Sequence, residues 1–367
     1  MTDPRLDKLA NILVNYSTRV KAGDWVWISA NVLALPLVKE TARYVLRAGG
    51  QFNVIMDEDD LTETNYSEST IDQLRWISPI EPVLYEKADV LIALRAASNT
   101  RYLSGMDPEK TRARQQARRD LTQIYLKRSA EGSLRWVLSV YPCQAYAQEA
   151  DLSLREYEDF VYGATFADRD DPIGKWQEMH DNQQRLVDWL AGKKEMVVRG
   201  TNVDLRLSIE GRKFINDFGD KNMPGGEVFT GPVENSLNGW IHFTYPAIYG
   251  GREVTGVELE FKEGKVVRSK AAKNEEFLNT MLNSDEGASY VGEFAIGTNF
   301  GIQRFTKNML FDEKIGGSIH LALGSGYPET GSENQSSIHW DMLCDMMQDS
   351  EIVVDGVLIY RNGQIVL

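Results

Sequence analysis

The sequence predicts two successive domains: a layered α/β domain with a mainly parallel sheet over residues 1–190, then a mainly antiparallel β domain with some helix over residues 191–367. Three observations predict this. In the first half, short apolar runs alternate with segments whose apolar residues recur at helical spacing, the pattern of parallel strands joined by crossover helices. From Glu195 onward, apolar and polar residues alternate singly between turn signals, as in antiparallel strands. A chain of 367 residues, 42% of them apolar, is also long enough for two ordinary cores.

The elements follow in order. Leu6, Leu9, Leu13 and Tyr16 share one face of a first helix, and Trp25 to Ser29 read as a strand. Val38, Ala42 and Val45 mark a second helix that stops at Gly49-Gly50, and Phe52 to Met56 form the next strand. Val90 to Leu94 and Trp136 to Val140 are short apolar runs of the kind buried in a parallel sheet. Ser153 and Glu156 form a capping box ahead of a helix striped by Leu154, Tyr157, Phe160 and Val161. A further helix through Leu186, Val187 and Leu190 ends at Gly192 and closes the first domain.

In the second domain, Met196 to Val198, the alternation Val203, Leu205, Leu207, Ile209, and Val257 to Phe261 read as strands. Asp355-Gly356 and Asn362-Gly363 are hairpin turns. Only Glu275 to Leu282 has a clear helical pattern. No internal repeat or low-complexity segment is present.

Composition narrows the function. The formal charge of −14 argues against nucleic acid or an anionic membrane as partner, because neutralising phosphates needs a basic surface. The basic stretch from Arg112 to Arg128 is interleaved with Asp120 and apolar residues and reads as the wet face of a helix. No run approaches the roughly 18 apolar residues that span a bilayer, and the N-terminus carries no apolar signal region, so the expected compartment is the cytoplasm. Cys143 and Cys344 form no disulfide framework or paired-thiol motif and are expected to be buried hydrophobes.

The chemistry concentrates late in the chain. The sequence has four histidines, and two lie in Ile319-His320-Leu321 and Ile338-His339-Trp340-Asp341. On a strand, His339 and Asp341 project from one face about 7 Å apart and can reach one cation; a strand with a polar solvent face fits the same spacing. Two glutamates add to the pattern. Glu227, in Pro224-Gly225-Gly226-Glu227-Val228-Phe229, and Glu293, in Val291-Gly292-Glu293-Phe294-Ala295, each follow a glycine and precede apolar residues. A lone carboxylate there is costly unless paired or ligated. Gly324-Ser325-Gly326 lacks the lysine and spacing of a phosphate cradle and reads better as a turn placing Tyr327. No Gly-x-Ser-x-Gly elbow occurs; His180 reads as a helix-surface residue and His242 as a strand or core histidine.

The segments around Glu227, Glu293, His320, Tyr327, His339 and Asp341, in that order, resemble the metal-site motifs of the M29 metallopeptidases, the family of aminopeptidase T and aminopeptidase S. The opening Leu6-Asp7-Lys8-Leu9-Ala10, Leu13-Val14-Asn15-Tyr16-Ser17 and Val20-Lys21-Ala22-Gly23-Asp24 resembles that family as well, so the likeness spans the chain. It implies a two-domain, homodimeric, cytosolic aminopeptidase acting on peptides with a free N-terminus. It also implies two divalent ions per chain (Zn, Co, Mn or Mg), with those six residues as the metal-site positions.

On that reading Glu227, Glu293 and Asp341 set three negative charges against four positive, leaving a cationic centre that acidifies water and polarises a peptide carbonyl. The histidines bind as neutral imidazoles, and Tyr327 ligates or donates to the tetrahedral oxyanion. Glu227, Glu293, Glu329 and Glu234 all remain open as general base. The rival reading is a mononuclear Fe(II) ring-cleaving dioxygenase using His320, His339 and Asp341 as a facial triad. It gives Glu227 and Glu293 no role, whereas a two-metal hydrolase needs further carboxylates.

Overall fold

Four parallel strands, Gln51–Asp57, Trp25–Asn31, Val90–Arg95 and Arg135–Val140, lie in that order in one sheet, and a short fifth, Asn222–Met223, pairs parallel to the last. The computed structural model describes residues 3–367 and divides them into two units. One runs to Lys175 and includes Gly219–Pro224; the other comprises Trp176–Phe218 and Gly225–Leu367. The sequence places the boundary at residue 190, whereas the division falls inside the helix Pro172–Leu190. The reason is packing: Leu186 and Leu190 of that helix belong to the second unit's core, so the end of the helix is not the end of a domain.

The first unit is the α/β layer the alternation predicts. Val26, Ile28, Val90, Ile92 and Val137 are fully buried, as central parallel strands require. Gln51–Asp57 lies at the sheet edge and alternates exposed and half-buried residues. The first helix, Pro4–Asn11, continues into a π-helical turn, Ile12–Ser17, and buries Leu6, Leu9, Leu13 and Tyr16. Leu154–Ala164 starts at the Ser153–Glu156 capping box.

Other helices of this unit carry little signal in the sequence. Asp59–Glu68, Ile71–Arg75, Ile80–Lys87, Pro108–Ala117 and Arg119–Ala130 each bury a single side chain, so no apolar stripe announces them. The basic stretch is helical, as expected, but part of its face is not wet. Arg114 and Arg118 both pair with Glu81, and Arg128 donates to the Tyr85 carbonyl.

The second unit is built on two antiparallel sheets. The larger has eight strands in the order Lys265–Lys270, Glu258–Lys262, Asn238–His242, Val203–Ser208, Glu195–Gly200, Glu351–Val354, Val357–Arg361 and Gln364–Ile365. Asp355-Gly356 and Asn362-Gly363 close its last hairpins with both residues at positive φ, the geometry that Asp-Gly and Asn-Gly favour. The smaller has five strands in the order His339–Asp345, Ser318–Gly324, Val291–Gly297, Glu227–Thr230 and Ile215–Asp217. The two sheets share one core. Met196, Val198, Leu205, Ile241 and Leu259 come from the larger, and Val228, Phe294, Leu321, Trp340 and Met342 from the smaller. Cys143 and Cys344 are buried free thiols. Among the described residues, no helix is long and apolar enough to cross a membrane.

Candidate metal centre

The five-stranded sheet sorts its residues by period-two alternation. One face sends Val228, Phe294, Ile296, Ile319, Leu321, Leu323, Trp340 and Met342 into the core. The opposite face receives the residues between them. Gly297 lies across from Glu227, Ala295 from His320, and Ala322 from both Glu293 and Asp341, while Gly324 lies across from His339. Glu227, Glu293, His320, His339 and Asp341 therefore share one face across four neighbouring strands. Asp217, directly opposite Glu227 on the fifth, joins them.

Two glycines make the approach possible. Gly226 has φ +125, and a Cβ there would lie 2.4 Å from Asn299 Cβ. Gly292 sits at the register shift between Val291 and Glu293, where a Cβ would lie 2.4 Å from the Gly324 carbonyl oxygen. The glycines that precede both glutamates in the sequence thus bring backbone to backbone, and the bulge re-aims Glu293 onto the polar face.

The donor atoms form two overlapping sets, Glu227–Glu293–His320 and Glu293–His339–Asp341, each with its atoms within 4.8 Å of one another. His320 Nε2 lies 3.6 Å from Glu227 Oε2, 3.6 Å from Glu293 Oε1 and 3.9 Å from Asp341 Oδ1. His339 Nε2 lies 3.3 Å from Glu293 Oε2 and 3.4 Å from Asp341 Oδ1. Glu293 thus faces one histidine with each oxygen.

Both imidazoles are oriented from behind. His320 Nδ1 is 3.0 Å from the Glu313 carbonyl oxygen, and His339 Nδ1 is 2.7 Å from that of Ser325. Donation to these carbonyls fixes a proton on Nδ1 and turns Nε2 toward the carboxylates, so that a cation replacing the Nε2 proton meets the arrangement of metal-ligating histidines. The Gly324-Ser325-Gly326 turn therefore supplies the acceptor for His339. It also carries Tyr327, whose ring stands edge-on to His339 at 5.3 Å between centroids and 5.5 Å from Phe229. Tyr327 is 42% exposed, so its ring borders the donor sets from the solvent side.

Electrostatics mark the cluster as short of positive charge. Burial holds the Glu227 carboxyl well above its ordinary range, only partly offset by the Lys314 ammonium. Burial draws the His320 and His339 imidazoles down, but the surrounding carboxylates outweigh it and push them up to about 9 and about 12. Glu293 and Asp341, raised by burial, are brought below the ordinary range by the same imidazoles. Burial also raises the Tyr327 hydroxyl, which stays protonated as a donor.

Besides Asp217, three neighbours escaped the sequence reading. Lys314 is fully buried and pairs with Glu313, with Glu227 at 3.6 Å and with Asp217 at 3.8 Å. Glu313 is a half-buried acid held above its usual range by desolvation and by the charge of Asp341. The run Asp312-Glu313-Lys314 between apolar Phe311 and Ile315 was the available signal. Gln183, from the helix Pro172–Leu190, donates to the carbonyls of Asp217 and Glu227 and ties their strands together.

Other candidates lie elsewhere. Glu234 is engaged by Arg212 and the Glu333 amide, and Glu329 is exposed in the turn Pro328–Thr330. His180 packs edge-on to Phe218 on its helix, and His242 ends a strand of the eight-stranded sheet.

The residues fit divalent cations. Ligands about 2.1 Å from a tetrahedrally bound ion stand roughly 3.4 Å apart, close to the 3.3–3.6 Å between the nearest donors of each set. Glu227 Oε2 and Asp341 Oδ1 are moreover buried without a hydrogen-bond partner, an expensive state that ligation relieves.

Known proteins are similar to this chain in sequence or in fold. Aminopeptidase 2 of Geobacillus stearothermophilus is 27% identical over 412 aligned residues, covering 98% of this chain and 97% of that one. Aminopeptidase T of Thermus thermophilus is 25% identical, covering 98% and 95%. The solved structure of wild-type AmpT from Thermus thermophilus superposes with a TM-score of 0.84 at 24% identity over 99% of both chains. A 2,5-dihydroxypyridine dioxygenase from Pseudomonas putida shares the fold more distantly, with a TM-score of 0.59 at 13% identity over 98% and 96%. The family model described as thermophilic metalloprotease (M29) matches residues 2–365, nearly the whole chain, and the chain belongs to that family.

Proposed function

We propose that the protein is an aminopeptidase whose second unit is the catalytic domain, holding two divalent cations. One is held by Glu227, Glu293 and His320, the other by Glu293, His339 and Asp341. The observation that carries this reading is the pair of donor sets sharing Glu293, each of its oxygens facing a different histidine. The curated relatives named as aminopeptidases support the substrate class, a peptide with a free N-terminus.

When bound, two such cations supply a polarised peptide carbonyl and a water acidic enough to attack it at neutral pH. The chain's own groups do the rest. Glu293 ties the two sets together, and the Nδ1 contacts of His320 and His339 hold both rings in position. The Tyr327 hydroxyl, kept protonated, donates to the oxygen on which charge develops. Glu227, held between the Lys314 ammonium and His320, serves as a ligand, and the proton released by the water passes to an acid outside the two donor sets and on to the leaving amine. The family likeness extends the proposal to a homodimer in the cytoplasm using Zn, Co, Mn or Mg.

The mononuclear Fe(II) reading through His320, His339 and Asp341 is weaker, because it leaves Glu227 and Glu293 buried beside the histidines without a role. The test is metal stoichiometry on purified protein, with amino-acid release from a short free-amine peptide and its acetylated counterpart. About two divalent ions per chain and cleavage of the free-amine peptide alone are expected on the two-metal chemistry. A single iron with no cleavage refutes it.

A further inference from the structure

Lys314 places a fixed positive charge in ion-pair contact with one donor set and not with the other. None of its side chain reaches solvent, and Nζ contacts Glu313, Glu227 Oε1 at 3.6 Å and Asp217 Oδ2 at 3.8 Å. Its backbone is held as well: the amide donates to the Phe311 carbonyl at 3.1 Å, and the carbonyl accepts from the Asn299 amide at 3.1 Å. Glu227 is consequently divided, with Oε1 toward the ammonium and Oε2 toward His320 at 3.6 Å. Within the described residues, no ion pair of Lys314 reaches Glu293 or Asp341.

The charges of the whole cluster are close to balance with two cations. Asp217, Glu227, Glu293, Glu313 and Asp341 are five carboxylates and Lys314 one ammonium, which leaves four negative charges when the imidazoles are neutral. The lysine thus does part of the work a cation would otherwise do, and does it beside Glu227. A like charge there lowers the attraction of that set for a divalent ion and draws on one of its carboxylate oxygens. The Glu293–His339–Asp341 set feels the same ammonium only at longer range, through Asp341, and no ion pair draws on its carboxylates in this way.

Resting on the two-cation reading, we propose that Lys314 is a resident cation that positions Glu227 and makes the Glu227–Glu293–His320 set the weaker of the two, the first to give up its ion. It is a positioning residue, and its readout is metal binding rather than turnover.

The test uses the full chain stripped with a chelator and titrated with Co(II), with bound metal counted by mass spectrometry and affinities read by calorimetry. Two steps separated by about tenfold or more are expected from the charge beside one set. Glu227→Gln should abolish the weak step and spare the strong one. Lys314→Met should tighten the weak step by about tenfold or more, and Lys314→Arg, which keeps the charge, should preserve the gap. Two equal steps in the unsubstituted protein overturn the proposal, as does a folded Lys314→Met variant that keeps the gap. If Lys314→Met does not fold, the unsubstituted protein and Glu227→Gln decide the matter. Saturation below two ions refutes the two-cation reading itself, an outcome distinct from two ions bound equally.

Discussion

Glu293→Gln removes the one carboxylate that serves both donor sets, and its expected effect can be worked from the geometry. Glu293 Oε1 faces His320 at 3.6 Å and Oε2 faces His339 at 3.3 Å, so each set loses charge at once. Two unit charges 4 Å apart interact by about 4 kcal/mol at an effective dielectric of roughly 20. A divalent ion feels more, so a loss of at least about 4 kcal/mol per ion, roughly a thousandfold in affinity, is a conservative expectation. The fold should survive, because the amide is nearly isosteric with the carboxylate and both imidazoles can shed the proton that the lost charge had held. Metal content after dialysis against a graded chelator, near-ultraviolet circular dichroism and amino-acid release from a free-amine peptide would be measured together. Both ions and the activity should disappear while the dichroism persists. Glu227→Gln and Asp341→Asn, each confined to one set, should cost one ion apiece. A Glu293→Gln protein that retains two ions and full activity would refute the assignment.

Further expectations concern the surroundings. Tyr327→Phe keeps the ring against His339 but loses the hydroxyl, so turnover should fall by about tenfold or more with metal content unchanged; an unaltered rate would remove its role as donor. Gln183→Leu leaves the carbonyls of Asp217 and Glu227 without their donor, and chemical denaturation should report a loss of roughly 2–4 kcal/mol. Burial pushes Asp312 up to about 7, against hydrogen bonds from Thr306 that favour its charged form. The folded protein therefore binds a proton there over a range of pH in which the unfolded chain does not. As pH rises through that window, from about 4 to about 7, this group subtracts stability, by roughly 4 kcal/mol in all. Asp312→Asn keeps an acceptor for the Thr306 amide and hydroxyl and should be more stable than the parent at pH about 8, with the advantage shrinking toward pH about 5. Equal denaturation midpoints at both pH values would contradict it.

The sequence by itself determined the elements whose signal is local. The capping box at Ser153 and Glu156, the Asp355-Gly356 and Asn362-Gly363 hairpins, and the alternation through Val203, Leu205 and Leu207 all depend on neighbours a few residues apart, and all appear where expected. His339 and Asp341 share a strand face for the same reason, since period two needs only the backbone. The glycines ahead of Glu227 and Glu293 were visible too, although their purpose, contact with Asn299 and with the Gly324 carbonyl, was not. The polar helices between Asp59 and Ala130 left little trace because each buries one side chain. Only the tertiary structure decided that strands spread over more than a hundred residues of chain would join one sheet, with their acids and histidines on one face. The boundary inside Pro172–Leu190, the carbonyls that orient the two histidines and the burial of Lys314 among three carboxylates are likewise products of packing. A lysine in a sequence is solvated by default, and only the folded chain supplies the partners that let it be buried.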